Sequence, residues 1–515
     1  MHWYECASFY HIYPLGLCGA PQENSYGAPE PRLRSLWPWV DHIAGLGLDA
    51  LYIGPLFQSA GHGYETTDYR LLDARLGTND DLRDFVAYCH EKGLRVVLDA
   101  VFNHTGRDFF AFRDLLQNRE SSPYRDWYRV RFDGDNGYHD GLCYDTWGGY
   151  ELLAKLNLGN PAVRQYHLDT VRFWVEEFGI DGLRLDAADV LDFGFLRELR
   201  GFTDGLRPDF WLMGEVIHGE YSRWLDAGLH SVTNYRLHKA LYSSHNDHNY
   251  FELAHTVEQL GPLCARLYSF ADNHDVERIY TRLNCKAHFL PVQVLLFTLP
   301  GLPSVYYGSE FAIEGRKERG SDASLRPALA LDAFADNAYA PLIRALARAR
   351  RAEPALQYGG YTRLSLTTGA FAFSRSLGDR DALICANNED RPAEFRLPVK
   401  CGAYRSVLTG ETVEAEDGYI DINVGPNGAA LLIPAGAAEI EAIPLPELAE
   451  PEPPELPDAP DAPPAKAPED MDVAELQNLI LYKLSQNGPL TDRMRLEVAE
   501  NIYPDSLRSW AKSFR

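Results

Sequence analysis

A chain of 515 residues, 45% of them hydrophobic, has ample material for a large core and too much for one small domain, so two or three domains are expected. Its 74 acidic against 49 basic residues give a formal charge of −25, a field that repels phosphate backbones and anionic lipid and so argues against nucleic-acid and membrane-surface partners. No basic-then-apolar leader stands before MHWYECASFY, no run of about 18 apolar residues suggests a span, and the eight cysteines lack CxxC or regular spacing; a cytoplasmic protein with reduced thiols is expected.

In chain order, strand-like runs appear at YHIYPLG (10–16), LDALYIGPLF (48–57), LRVVLDAVF (94–102), IDGLRLD (180–186), FWLMGEV (210–216), LHSVTNY (229–235), RLYSFADN (266–273) and LPSVYYG (302–308). Their apolarity is nearly continuous, as in parallel strands covered on both faces, and helical-period stretches such as DDLRDFVAYCHEKG (80–93) separate them. Eight such units predict an α/β chain with a (β/α)8 TIM barrel over residues 1–350. Between the third and fourth strands a segment rich in aromatics, Gly and Asp, residues 105–160, reads as an inserted subdomain roofing the active face. From 355 to 437 the pattern changes to alternation with turn signals, predicting an antiparallel β-sandwich. Residues 438–468 form a proline- and acid-rich linker, and 469–515 a small helical module that opens on a capping box of Asp472 and Glu475.

Side chains at the C-terminal ends of barrel strands face the catalytic mouth. Asp186 ends the fourth strand, Glu215 the fifth, Asp275 follows the seventh and Asp99 lies near the end of the third, so four acids from different strands converge. Gathering carboxylates is unfavourable unless something neutralises or uses them. Arg184, two residues before Asp186 on the same strand face, is placed to hold Asp186 ionised, while Glu215 after LMG suits an apolar pocket that keeps it protonated. One anionic and one protonated carboxyl is what retaining glycoside hydrolysis requires. A structural ion-pair network reads any one of these acids equally well; the set of four at strand ends favours chemistry. Asp181 begins its strand, at the opposite barrel end, and is assigned to structure. Asp189 lies in the loop after Asp186, either touching substrate or capping the next helix.

Seven segments together resemble the α-amylase family of glycoside hydrolases: HGYETTDY (62–69), DAVFNH (99–104), LAKLN (153–157), GLRLDAADV (182–190), GEVIH (214–218), FADNHD (270–275) and GLPSVYYGSE (301–310). The resemblance covers residues of about 8–437. It implies Asp186 as nucleophile, Glu215 as acid and then base, and Asp275 as the carboxylate that binds sugar hydroxyls and favours ring distortion. Substrate would also meet Arg184, His104 and His274, with Tyr64 stacking on the sugar face; Asp68, Asp99 and Asn103 would support them. Asp189 and His218 are further candidates for substrate contact. Trp147, Tyr144 and Tyr150 either stack on glucose rings or pack the insert. Asp189-Val190 stands where typical α-amylases carry Lys-His, which with GEVIH and LAKLN is similar to the cyclomaltodextrinase, neopullulanase and maltogenic amylase branch, here without its N-terminal β-domain. The expected activity is cleavage of α-1,4-glucosidic bonds in malto-oligosaccharides, cyclodextrins or related α-glucans through a covalent glycosyl-enzyme. Transglycosylase or isomerase action at the same site is the alternative; a non-catalytic binding protein predicts a missing acid and a membrane anchor. No cofactor is required. Asn103 heads a calcium site in many α-amylases, and GDNGYHDG (134–141) is either a cation loop or plain turns.

Overall fold

The computed structural model describes residues 2–436, the helix Val473–Ser485, and residues 467, 468, 471, 498, 507 and 511. The expected linker up to 466 and the Asp472 capping position lie outside the described residues. The chain divides into two compact units, 1–449 and 450–515.

In the first unit eight parallel strands form: β1 (Phe9–Ile12), β2 (Ala50–Ile53), β3 (Arg95–Ala100), β4 (Gly182–Leu185), β5 (Trp211–Gly214), β6 (Ser231–Val232), β7 (Tyr268–Phe270) and β8 (Leu302–Tyr306). They pair in the order β6-β5-β4-β3-β2-β1-β8-β7. A parallel bridge between Thr233 and Tyr268, with the Asn234 amide donating to the Tyr268 carbonyl at 2.8 Å, closes the ring between β6 and β7. The expected barrel is therefore present, strand for strand. Apart from half-buried Arg95, every strand residue is buried, which is why the sequence runs are continuously apolar rather than alternating. Phe9, Tyr52, Val97, Trp211, Met213, Tyr268, Phe270 and Leu302 fill the interior, Phe9 and Trp211 stacking at 4.7 Å. This plug separates the C-terminal mouth, where catalytic groups of such barrels gather, from the N-terminal end.

Local signals set the surrounding helices. Thr78 and Asp81 make a reciprocal capping box at Asn79–Glu91, and Pro161–Phe178 starts on an Asn160 cap and stops at Gly179, whose φ of 72° is left-handed. After β3 the insert supplies a helix, Phe110–Asn118, and a three-stranded sheet of His104–Thr105, Tyr150–Lys155 and Thr146–Trp147. A hairpin after β2, Phe57–Ser59 with Thr66–Leu72, was not expected as strands; its register shifts twice, so it shows no clean alternation.

Beyond the barrel, a six-stranded antiparallel sheet runs from Gly360–Leu366 to Thr412–Glu414, and the pair Ala393–Pro398 and Tyr419–Val424 packs on it around Leu383, Cys385, Phe395, Tyr404 and Ile420. Tyr419–Val424 alternates exposed and buried, the pattern of a half-covered strand. In the second unit, Leu476, Leu479, Ile480 and Leu481 of Val473–Ser485 pack with Met471, Val498, Leu507 and Ala511. Among the described residues no helix is long and apolar enough to cross a membrane.

Candidate active site

At the barrel mouth one guanidinium organises three acids. Arg184, 3% exposed on β4, sits opposite Asp99 in the β3–β4 register. Its Nη1 donates to Asp99 at 2.9 and 3.1 Å and to Asp186 at 2.8 Å, and its Nη2 meets Glu215 at 2.9 Å. Asp99 also accepts the hydroxyls of Tyr52 at 2.9 Å and Tyr64 at 3.2 Å, so of the three it is the carboxylate met by the most donors. The turn after Asp186 passes through Ala187, a non-glycine residue at φ 45°, which aims its amide at Glu215 Oε2 at 3.0 Å. The Glu215 carbonyl in turn accepts the Asp189 amide at 3.2 Å.

Asp275 faces this group from the loop after β7. Its Oδ2 lies 2.9 Å from His274 Nε2, and its Oδ1 accepts from Arg326 at 2.9 Å. His274 also bonds the Tyr64 hydroxyl, the two rings lying 5.8 Å apart and 12° from parallel. His104 is buried beside Trp147, with ring centroids 5.9 Å apart; Asn103 contacts its Nδ1 at 3.2 Å, and its Nε2 has no partner among the described residues. Tyr64, His104, Trp147, Asp186, Glu215 and Asp275 line a cleft of about 440 Å³ with Tyr150, Leu152, Leu153, Ile217, Tyr235 and Lys317. It opens past His62, Asp322 and Arg326 into a chamber of about 870 Å³ that reaches Tyr13, Glu65 and Arg75.

The electrostatics differ from the simplest expectation. Burial pushes the Glu215 carboxyl up, Asp275 adding to the rise and Arg184 and the Ala187 amide opposing it. Burial also raises Asp186 well above the carboxylate range; Arg184 opposes, while Glu215 and Asp99 add to the rise. The expectation that Arg184 simply holds Asp186 ionised is corrected here: a cation shared among acids does not offset the burial of Asp186 or of Glu215. Burial thus favours the protonated form of both Asp186 and Glu215. Burial raises Asp275 too, but His274, Arg326 and Arg184 outweigh it and hold that acid below the ordinary range. Burial lowers His104 to about 3, leaving a neutral ring.

Other expected residues fall elsewhere. Asp68, half-buried, accepts the Arg70 amide at 2.7 Å within its hairpin and, among the described residues, makes no hydrogen bond or ion pair with Asp99, Asp186, Glu215 or Asp275. His218 is exposed outside the cleft; its neighbour Ile217 lines it instead. Asp189 is half-buried in a short turn, and the helix cap considered for it is made by Asp192, whose side chain accepts from the Phe195 amide at 2.8 Å. Trp147 and Tyr150 reach the cleft, while Tyr144 packs in the insert on Arg107 and the Glu151 carbonyl. Asp181, fully buried, is bound by Arg95, Arg207, His90 and the Val96 amide at 2.7–2.9 Å at the N-terminal end of its strand, as structure rather than chemistry. Sequence reasoning missed Tyr52, Tyr235 and Arg326. Tyr52 was legible as the inward partner of Ala50 two residues earlier. Arg326 follows a charged Gly/Ser-rich run that reads as solvated loop.

The acids of 134–141 are consumed locally. Asp135 accepts the Gly141 amide at 3.0 Å and contacts His139 at 3.2 Å; Asp140 is held by Arg107 and Asn136. Among the described residues no group of three or more His, Cys, Asp or Glu side chains is arranged to hold a metal.

A barrel whose strand ends carry this triad of acids defines a glycosidase-type site. Residues 33–343 match the family model of the alpha amylase catalytic domain, and the chain belongs to the α-amylase family of glycoside hydrolases. It is 32% identical over 440 residues to a cyclomaltodextrinase of a Bacillus species, covering 80% of this chain and 77% of that protein. Neopullulanase 2 of Thermoactinomyces vulgaris is 30% identical over 461 residues, covering 84% and 78%. Among solved structures, a cyclic α-maltosyl-(1→6)-maltose hydrolase from Arthrobacter globiformis, in complex with cyclic α-maltosyl-(1→6)-maltose, superposes with a TM-score of 0.72 at 26% identity, covering 84% of this chain and 98% of that one.

Proposed function

We propose that this enzyme hydrolyses α-1,4-glucosidic bonds of malto-oligosaccharides, cyclodextrins or related α-glucans with retention of anomeric configuration. The observation that carries the reading is Arg184 bridging Asp186 and Glu215 on neighbouring nitrogens, with Asp275 across the cleft. Two carboxyls held on one guanidinium suit the roughly 5–5.5 Å separation of retaining enzymes better than the wider gap that admits a water. In the first step the Asp186 carboxylate attacks the anomeric carbon, the glycosidic C–O bond breaks, and Glu215 gives its proton to the leaving oxygen. In the second, Glu215 takes a proton from water, whose oxygen displaces Asp186 and restores both carboxyls. Asp275 binds the sugar hydroxyls, Tyr64 offers its ring, and His104 Nε2 hydrogen-bonds the sugar. Both acid and nucleophile come from the chain, so no cofactor is needed. The eight free cysteines support a cytoplasmic setting.

The names of the relatives support cyclodextrins and malto-oligosaccharides as the substrate class. Ile217, 40% exposed and lining the cleft two residues after Glu215, favours a sugar acceptor over water, so transfer is the second reading. A product time course with maltoheptaose, β-cyclodextrin and pullulan, comparing wild type with Asp186→Asn, tests both. Short α-anomeric products abolished by the substitution support hydrolysis. Products longer than the substrate favour transfer, and no turnover of any glucan overturns the reading.

A further inference from the structure

Arg278 lies three residues beyond Asp275, is fully buried, and among the described residues touches no carboxylate directly. Its Nη1 donates to the Tyr307 carbonyl at 2.6 Å and to Ser309 Oγ at 3.3 Å, and its Nη2 to the Leu325 carbonyl at 2.9 Å. The guanidinium lies over the Tyr306 ring at 4.1 Å and the Tyr307 ring at 5.1 Å. The nearest compensation is Asp272, reached through Ser309, whose hydroxyl contacts both Asp272 oxygens at 2.7 and 2.8 Å. Burying a cation on neutral acceptors is costly, and the arrangement that results is specific: one side chain grips both ends of the loop 307–325.

The grip converges on one peptide. The Leu325 carbonyl also accepts the Tyr306 hydroxyl at 2.9 Å, so two donors fix it. Mid-loop, the Arg278 amide donates to the Gly315 carbonyl at 3.0 Å, and a Cβ at Gly315 would stand 2.6 Å from the Ser324 carbonyl oxygen and 2.8 Å from Arg278 Cγ, leaving no room for another packing. The next residue after Leu325 is Arg326, which binds Asp275 Oδ1 at 2.9 Å, the His274 carbonyl at 3.1 Å and Asp322 at 3.1 Å. The geometry points to Arg278 as a positioning residue for the reaction, acting through the Leu325 carbonyl to hold Arg326 on Asp275. This rests on the reading of Asp275 as the carboxylate that engages the donor sugar.

A double-mutant cycle separates this role from general stabilisation. Wild type, Arg278→Met, Arg326→Met and the double variant are compared in kcat/KM on maltoheptaose, below the thermal midpoint of the weakest. Each single substitution is expected to lower kcat/KM by about tenfold or more, and the double to match Arg326→Met within about threefold, because coupled residues are not additive. Both single variants are expected to weaken maltotriose binding by a similar factor, which a loss of fold stability alone does not produce. Arg278→Lys recovers part of the loss. Multiplying effects overturn the proposal, as does an Arg278→Met enzyme that loses only thermal stability. Tyr306→Phe, which deletes one hydroxyl from the same carbonyl, runs the cycle if Arg278→Met does not fold. Repeating it on the Kd of maltotriose needs no turnover and so keeps failure here apart from failure of the proposed activity.

Discussion

Replacing Arg184 by lysine tests the sharing of one cation among three acids. The guanidinium serves Asp99, Asp186 and Glu215 at once at 2.8–3.1 Å. A lysine ammonium is a single point of charge on an unforked stem and cannot reach all three. At least one charge-assisted hydrogen bond is lost, worth about 1.5–3 kcal/mol. The abandoned carboxyl then protonates rather than remain charged and buried, which removes either the nucleophile or its balance with the acid. Together these amount to about 3–4 kcal/mol of lost transition-state stabilisation, a fall in kcat/KM of roughly 100- to 1000-fold. Arg184 lowers both Asp186 and Glu215, so weakening it shifts both limbs of the pH–rate profile upward. The assay is the initial rate of reducing-end formation from maltoheptaose across pH, with circular dichroism to confirm folding. A folded Arg184→Lys enzyme within threefold of wild type, with limbs unmoved, refutes the reasoning.

Glu215→Gln should lose about 10²–10⁴-fold on maltoheptaose but retain glycosylation with α-maltosyl fluoride, whose leaving group needs no proton, and its kcat/KM profile should lack the basic limb. Asp181→Asn should lower unfolding stability by about 2–3 kcal/mol, less than a fully buried pair because Arg95, Arg207 and His90 keep contact with water, while kcat/KM at low temperature stays unchanged. Burial works against the Asp181 carboxylate but is outweighed by His90, the Val96 amide and Arg207, so its folded pKa is depressed. Its contribution is therefore full above the ordinary carboxylate range and lost as pH falls through the folded value; denaturant curves of variant and wild type should converge in acid. Tyr150→Ala removes a ring that is 64% exposed at the cleft and should raise KM for maltoheptaose roughly 2- to 12-fold with kcat unchanged, by the about 0.5–1.5 kcal/mol of an aromatic stack. Dialysis against EDTA should leave rate and thermal midpoint unchanged; a loss restored by calcium would revive the Asn103 site.

The barrel was legible because strands buried on both faces leave unbroken apolar runs, and Asp99, Asp186 and Glu215 were legible because acids at strand ends have nowhere to go but the mouth. The hairpin of residues 57–72 was not, since two register shifts erase its alternation, and with it went the fate of Asp68. Ile217 and His218 show the limit of a motif: GEVIH marks the loop, but which of two neighbours faces the cleft is decided by the path of the backbone beyond β5. Arg326 reaches Asp275 across 51 residues, a proximity no local pattern carries. The raised state of Asp186 comes first from burial and then from Glu215 and Asp99 beside it, surroundings set by three strands together.

The turn at Ala187 has an engineering consequence. The same peptide unit follows Asp186 and donates to Glu215, so nucleophile and acid are two ends of one rigid gauge. Converting this scaffold to an inverting enzyme requires opening the gap between the carboxyls for a water. Shortening Asp186 or Glu215 changes one arm, yet the gauge continues to locate both from the left-handed residue between them. A redesign of stereochemistry here must therefore rebuild the 186–188 turn first, and exchange side chains second.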